Sequence, residues 1–179
     1  TRLSNTFKSV KGLKVKNETI SSYLDCFIDA YIISKSYRYD IKGRSYIDTP
    51  LKYYFTDIGL RNARLNFRQQ EENHIMENII YNELIARGFN VDVGVVEYNH
   101  KDDSGKKVRT QLEVDFVVNK TEKRYYIQSA LTVSDEDKRR QEVNSLNKID
   151  DSYAKIVVAR DNILPWRDEK GVLYINIED

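Results

Sequence analysis

A chain of 179 residues is long enough for one domain or two small ones. Its 40% hydrophobic and 32% charged residues are the composition of a folded globular protein rather than a disordered one, and no apolar run approaches the roughly 18 residues of a membrane span. The net charge of +1 hides an asymmetry: residues 1–70 carry 13 Lys and Arg against 6 Asp and Glu, and residues 71–179 carry 16 against 22.

That change of sign divides the chain into two modules, 1–70 and 71–179, the first a candidate polyanion binder. Cys26 stands alone, which excludes an internal disulfide and suits a reducing cytoplasm; with only two histidines, a zinc site of the usual ligands is excluded too. The opening Thr1-Arg2-Leu3-Ser4 has neither an initiator Met nor a signal-peptide core, as expected of a piece of a longer protein.

Residues 1–16 are basic, and Phe7, Val10, Leu13 and Val15 can pack a short helix and its exit loop. A clearer helix opens at Asn17-Glu18-Thr19-Ile20, capped by Asn17 or Thr19. Ile20, Leu24, Phe27, Ile28 and Tyr31 recur at helical spacing and predict a buried face, with Cys26 packed beside it. Residues 32–39 alternate as a strand, 40–44 turn, and a second strand runs from Ser45 to Phe55. Thr56-Asp57 caps a short helix from Ile58. A helix followed by a basic hairpin is the pattern of a winged helix, in which Lys35, Arg38, Lys42 and Arg44 are the candidate nucleic-acid contacts. Asp25 and Asp29 on the polar face of the helix speak against DNA there, and protein contact is the competing use.

Residues 62–72 form a polar linker. His74 to Gly88 is the strongest helix, with Ile75, Met76, Ile79, Ile80 and Leu84 on its apolar face and Gly88 as its stop. Three strands follow at 89–98, 109–118 and 123–133, the first two joined by a loop at 99–107. Ser134 caps a helix whose stripe is Val143, Leu146 and Ile149. Strands at 155–160 and 172–177 finish an α/β layer around a mixed sheet.

Asp115 lies inside an otherwise apolar strand, Glu113-Val114-Asp115-Phe116-Val117-Val118, and a buried acid needs a partner or a function. Glu77, bordering the apolar face of the long helix, can converge on it. Two oxygen ligands of this kind are part of a magnesium site, whose remaining parts would be a third acid and a Lys that orients water. The third strand offers Gln128-Ser129-Ala130 in their place. Asp115 therefore belongs either to a carboxylate metal site or to the remnant of one. His74 and His100 lack a Ser or Cys partner, and Lys138-Arg139-Arg140 reads as a solvated face.

Four stretches carry a resemblance over nearly the whole chain: Thr19-Ile20-Ser21-Ser22-Tyr23-Leu24, Tyr54-Phe55-Thr56-Asp57-Ile58-Gly59-Leu60, Met76-Glu77-Asn78-Ile79-Ile80-Tyr81-Asn82-Glu83-Leu84 and Glu113-Val114-Asp115-Phe116-Val117-Val118. The chain resembles the C-terminal region of prokaryotic ATPases that carry an N-terminal AAA-type P-loop module. The resemblance implies an α/β (α+β) fold, with a winged-helix-like module at 1–70 and, at 71–179, a mixed sheet flanked by helices similar to PD-(D/E)XK restriction-endonuclease-like domains. It places the helix acid at Glu77, the strand acid at Asp115 and the Glu-x-Lys element at Gln128-Ser129-Ala130, where both chemical groups are lost. It further implies ATP in a module outside this chain, since no Gly-x-x-x-x-Gly-Lys-Ser/Thr occurs here. The expected function is a non-catalytic region that contacts DNA or a protein partner, with no membrane association. The alternative is a metal-dependent DNA nuclease using Glu77, Asp115 and Gln128, with magnesium as its ion if the site is intact.

Overall fold

The computed structural model describes residues 2–68, 71–101 and 104–179. The protein is an α+β fold built on one mixed sheet of eight strands. Helices α1 (Arg2–Lys11) and α2 (Asn17–Asp29) precede the hairpin β1 (Ile33–Asp40) and β2 (Ser45–Phe55). Two more helices, α3 (Ile58–Arg64) and α4 (Glu72–Ala86), lead to the meander β3 (Asn90–Lys101), β4 (Lys107–Lys120) and β5 (Lys123–Ala130). Then come α5 (Glu136–Glu142), a 3-10 turn at Leu146–Lys148, β6 (Ala154–Ala159), β7 (Trp166–Arg167) and β8 (Leu173–Asn176).

The strand order is β2-β1-β3-β4-β5-β6-β8-β7. The basic hairpin is therefore the edge of the main sheet rather than a free wing. It joins through β1, which pairs parallel with β3 from Arg38 opposite Val93 to Asp40 opposite Val95. The division at residue 70 falls between α3 and α4, and the sheet runs across it. β5, β6 and β8 are parallel neighbours, as the crossover through α5 requires.

Each face of the sheet carries its own core, because successive residues of a strand point to opposite sides. On one face α4 contributes Met76, Ile80 and Tyr81 to a cluster with Phe116, Val118, Ile127 and Val158. On the other, Val143 and Leu146 pack with Val114, Val117, Tyr126, Val157 and Tyr174. Strand β4 feeds both, and it breaks its alternation once. Val114 pairs with Gly94 and Val117 with Asp92, so three steps along β4 face two along β3. This bulge falls on Asp115 and Phe116 and re-aims them. Opposite it, Gly94 has no room for a side chain: a Cβ there would lie 2.9 Å from Val114 Cβ, Val117 Cγ2 and Ile41 Cδ1.

Several local expectations are corrected. The N-cap of α2 is Lys16, without a side-chain bond, rather than Asn17 or Thr19. Only Ile20 of its expected face is buried; Phe27 and Cys26 are exposed, and Tyr31 sits past the helix at φ 55. The periodicity was real, but only a short stretch of α2 reaches β1. Asp57 caps α3 as expected, accepting from the Leu60 amide at 2.8 Å. Asp135, not Ser134, caps α5, accepting from the Lys138 amide, because the Ser134 hydroxyl is drawn to Asp161. The stripe Val143, Leu146 and Ile149 is buried but lies beyond α5, in the turn that follows. Strands β3 and β4 run further into the expected 99–107 loop, and Asp102 and Asp103 lie outside the described residues.

Candidate functional site

The buried face of α4 is rotated from the purely apolar one. Met76, Glu77, Asn78, Ile80 and Tyr81 are buried, and Ile79 is exposed. The reason is the edge strand β2. The Asn78 amide bridges both backbone groups of Phe55: its Oδ1 accepts from the Phe55 amide at 2.8 Å, and its Nδ2 donates to the Phe55 carbonyl at 2.7 Å. Asn82 adds bonds to the Phe55 and Thr56 carbonyls. These amides satisfy backbone groups that an edge strand otherwise leaves open, and they fix α4 so that Glu77 meets the side chains of β2.

Lys52 and Tyr54 lie two apart on β2 and both reach Glu77 Oε1. The Lys52 ammonium is 2.6 Å away and the Tyr54 hydroxyl donates at 2.7 Å. Lys52 also lies 2.8 Å from Glu113 Oε1, and Arg38 lies 2.7 Å from Glu113 Oε2. Burial works against the Lys52 charge, but Glu77 and Glu113 more than offset it, and its pKa is raised. Burial likewise works against ionised Glu113, yet Lys52 and Arg38 hold its pKa below the usual value. Tyr54, stacked on Tyr81 with ring centroids 3.9 Å apart, is held neutral by burial and by the neighbouring Glu77 charge.

Asp115, 9% exposed, sits where the β4–β5 ladder ends at the Phe116–Ile127 pair. Side-chain bonds continue it. Asp115 Oδ2 accepts from the Ser129 amide at 2.8 Å and from its hydroxyl at 2.6 Å. The Asp115 amide donates to Gln128 Oε1 at 3.3 Å. Burial first, and then the Glu77 charge, push the Asp115 pKa up to about 6, against the pull of Ser129 and Lys52. A cleft of about 350 Å³ opens over Glu77, Asp115, Gln128 and Ser129, with Lys138 and Glu142 on its wall.

Glu77 and Asp115 thus line one cleft, with one oxygen of each carboxylate already engaged. Glu77 Oε1 is engaged by a cation and a hydroxyl, and Asp115 Oδ2 by two Ser129 donors. Gln128 Oε1 accepts from the Asp115 backbone and from the Ser145 hydroxyl at 3.4 Å. Ala130 is buried in the core. Among the described residues no three His, Cys, Asp or Glu are grouped to hold a metal. Lys123 and Arg124 lie elsewhere: Lys123 opens β5, paired with Lys120, and Arg124 stacks on Tyr39.

Of the four candidate nucleic-acid contacts, Arg38 belongs to this carboxylate cluster, while Lys35, Lys42 and Arg44 stand on the other side of the hairpin region, near Tyr37 and Tyr39. His74 pairs with Glu71 at the exposed start of α4, and His100 stacks beside Tyr98 on β3. Lys52, Tyr54, Glu113 and Ser129 were the residues that sequence reasoning missed. The available signal was spacing: Lys52 with Tyr54 and Glu113 with Asp115 are pairs two apart, which share a side of a strand. No helix among the described residues is long and apolar enough to cross a membrane.

A family model described as a domain of unknown function, DUF8612, matches residues 3–71. The matched stretch contains Arg38, Lys52 and Tyr54 but neither Glu77 nor Asp115. An uncharacterized protein of Haemophilus influenzae (strain ATCC 51907 / DSM 11121 / KW20 / Rd) is 32% identical over 157 residues, covering 88% of this chain and 35% of the relative. The chain thus spans about a third of that relative's length. The search of solved structures found no significant match.

Proposed function

We propose that this chain is the non-catalytic interaction region of a larger P-loop ATPase, in which a nuclease-like scaffold engages DNA or a partner protein. The observation that carries the reading is the Lys52 ammonium 2.6 Å from Glu77 and 2.8 Å from Glu113. A fixed side-chain cation lies where a metal-dependent nuclease would need carboxylate lone pairs free for its ion. Glu77 is paired with a cation from within the chain, and Asp115 is held by the Ser129 amide and hydroxyl instead. The Haemophilus relative, of which the chain covers 35%, has room for a P-loop module.

A magnesium-dependent nuclease is the second reading, and the raised pKa of Asp115 in an open cleft is what favours it. A cleavage assay on single- and double-stranded DNA with magnesium or manganese separates the two. The interaction reading expects no cleavage above background, from the chain or from its Asp115→Asn variant. Metal-dependent cleavage that disappears in Asp115→Asn would overturn it.

A further inference from the structure

The face of the hairpin that includes Lys35, Tyr37 and Tyr39 carries a series of rings and cations that the carboxylate cluster does not use. The Lys35 ammonium lies 5.6 Å from the Tyr37 ring centroid. Tyr37 meets Tyr46 at 6.3 Å, and Tyr46 meets Tyr39 at 5.4 Å, both edge to face. The Arg124 guanidinium lies 5.1 Å from Tyr39 and 5.4 Å from Tyr153. The series crosses from β1 and β2 to β5 and the loop before β6. A cleft of about 520 Å³ lies at the Tyr39, Arg124 and Tyr153 end of it, with Lys42 and Arg44 on its wall. Because β1 is paired with β3, the hairpin end of the platform is part of the sheet.

Two features distinguish this strip from an ordinary tyrosine-rich sheet surface. The rings remain open to a ligand: Tyr37 is 42% exposed, Tyr46 61% and Tyr153 44%. The charges are also divided unequally in their engagement. Asp40 accepts from the Lys42 and Gly43 amides, Asp92 from the Tyr46 hydroxyl, and Asp151 from the Tyr126 hydroxyl and the Tyr153 amide. Among the described residues, Lys35, Lys42 and Arg44 form no ion pair. Arg124 is held by Asn119 and between two rings, so it positions Tyr39 and Tyr153. Asp150 and Asp151 are also on the cleft wall and bring negative charge to it.

We propose that this strip binds single-stranded polynucleotide, with bases stacked on Tyr37, Tyr46 and Tyr153 and phosphates held by Lys35, Lys42 and Arg44. Stacking on aromatic rings accepts any base and requires the base faces to be free, which a duplex does not offer. Neighbouring rings are inclined at 78° and 66°, so bases stack on individual rings rather than in one column. The inference rests on the interaction reading and names its ligand class. Cleavage would overturn that reading, whereas failure to bind an oligonucleotide removes only this inference and leaves protein contact.

The test is fluorescence anisotropy of the chain with labelled oligothymidylate, oligouridylate and a duplex of equal length, at several salt concentrations. One or both single strands bind, and their relative affinity identifies DNA or RNA as the natural source. The duplex binds at least about tenfold more weakly. Tyr37→Leu and Tyr153→Leu each weaken binding about tenfold, while Tyr37→Phe retains it. Lys42→Gln and Arg44→Gln each flatten the logarithmic salt slope by about 0.7, and Asp150→Asn tightens binding. No binding at low salt overturns the proposal. So does a duplex that binds as tightly, or an affinity that needs Lys42 and Arg44 but is indifferent to both Tyr→Leu changes.

Discussion

Replacing Asp115 by Asn tests what the buried acid costs the fold. Asn keeps roughly the shape and contacts of the protonated acid but cannot ionise. In the folded chain the Asp115 pKa is raised from 3.8 to about 6 by burial and the Glu77 charge. Between about pH 4 and pH 6 the folded state therefore holds a proton that the unfolded chain has released, and stability falls as pH rises through that window. A shift of about two pH units corresponds to about 3 kcal/mol by pH 8. Asp115→Asn should therefore match the parent chain near pH 4 and exceed its stability by about 3 kcal/mol near pH 8. Urea unfolding of both proteins across that range measures the difference directly. A variant less stable than its parent at pH 8, or two parallel pH profiles, would refute the reasoning, since either result means that ionised Asp115 is well accommodated. A group retained at such a cost is characteristic of a functional site or of its remnant.

Further substitutions probe the architecture of the chain. Lys52→Met strips the cation from Glu77 and Glu113 and should destabilise the chain by about 3 kcal/mol in thermal or urea unfolding; the double variant with Glu77→Gln should recover part of that loss, as a double-mutant cycle would report. Asn78→Ala removes both amide bonds to Phe55 and should cost about 2–3 kcal/mol, with faster hydrogen exchange in β2. Gly94→Ala drives a methyl into Val114 and Val117 and should cost about 1–3 kcal/mol, whereas Ala at Gly105, where the space is open but φ is +79, should cost about 1 kcal/mol through backbone strain alone.

The layered α+β fold was legible because its signals are local. Alternating valines marked β3, an apolar run marked β4, Gly88 stopped α4, and Asp57 capped α3. The convergence of Glu77 and Asp115 could also be anticipated, since a buried acid in an apolar strand needs a reason. Lys52 could not be assigned to the site in the same way. Its reach to Glu77 depends on β2 ending at the sheet edge beneath α4, and on Asn78 and Asn82 gripping that edge. Those are contacts between elements distant in sequence. The bulge at Asp115 was hidden for a related reason: it is a mismatch of count between two strands, visible only when β3 and β4 are paired. The face of α2 misled because helical periodicity shows which residues share a side, not whether anything lies against it.

The most direct test of the Lys52-paired site is a manganese titration followed by electron paramagnetic resonance. The account predicts that the free-ion signal is undiminished by the chain, and that Lys52→Met, which frees Glu77, is the change that lets manganese bind. Stoichiometric manganese uptake by the parent chain that is lost in Asp115→Asn would contradict it.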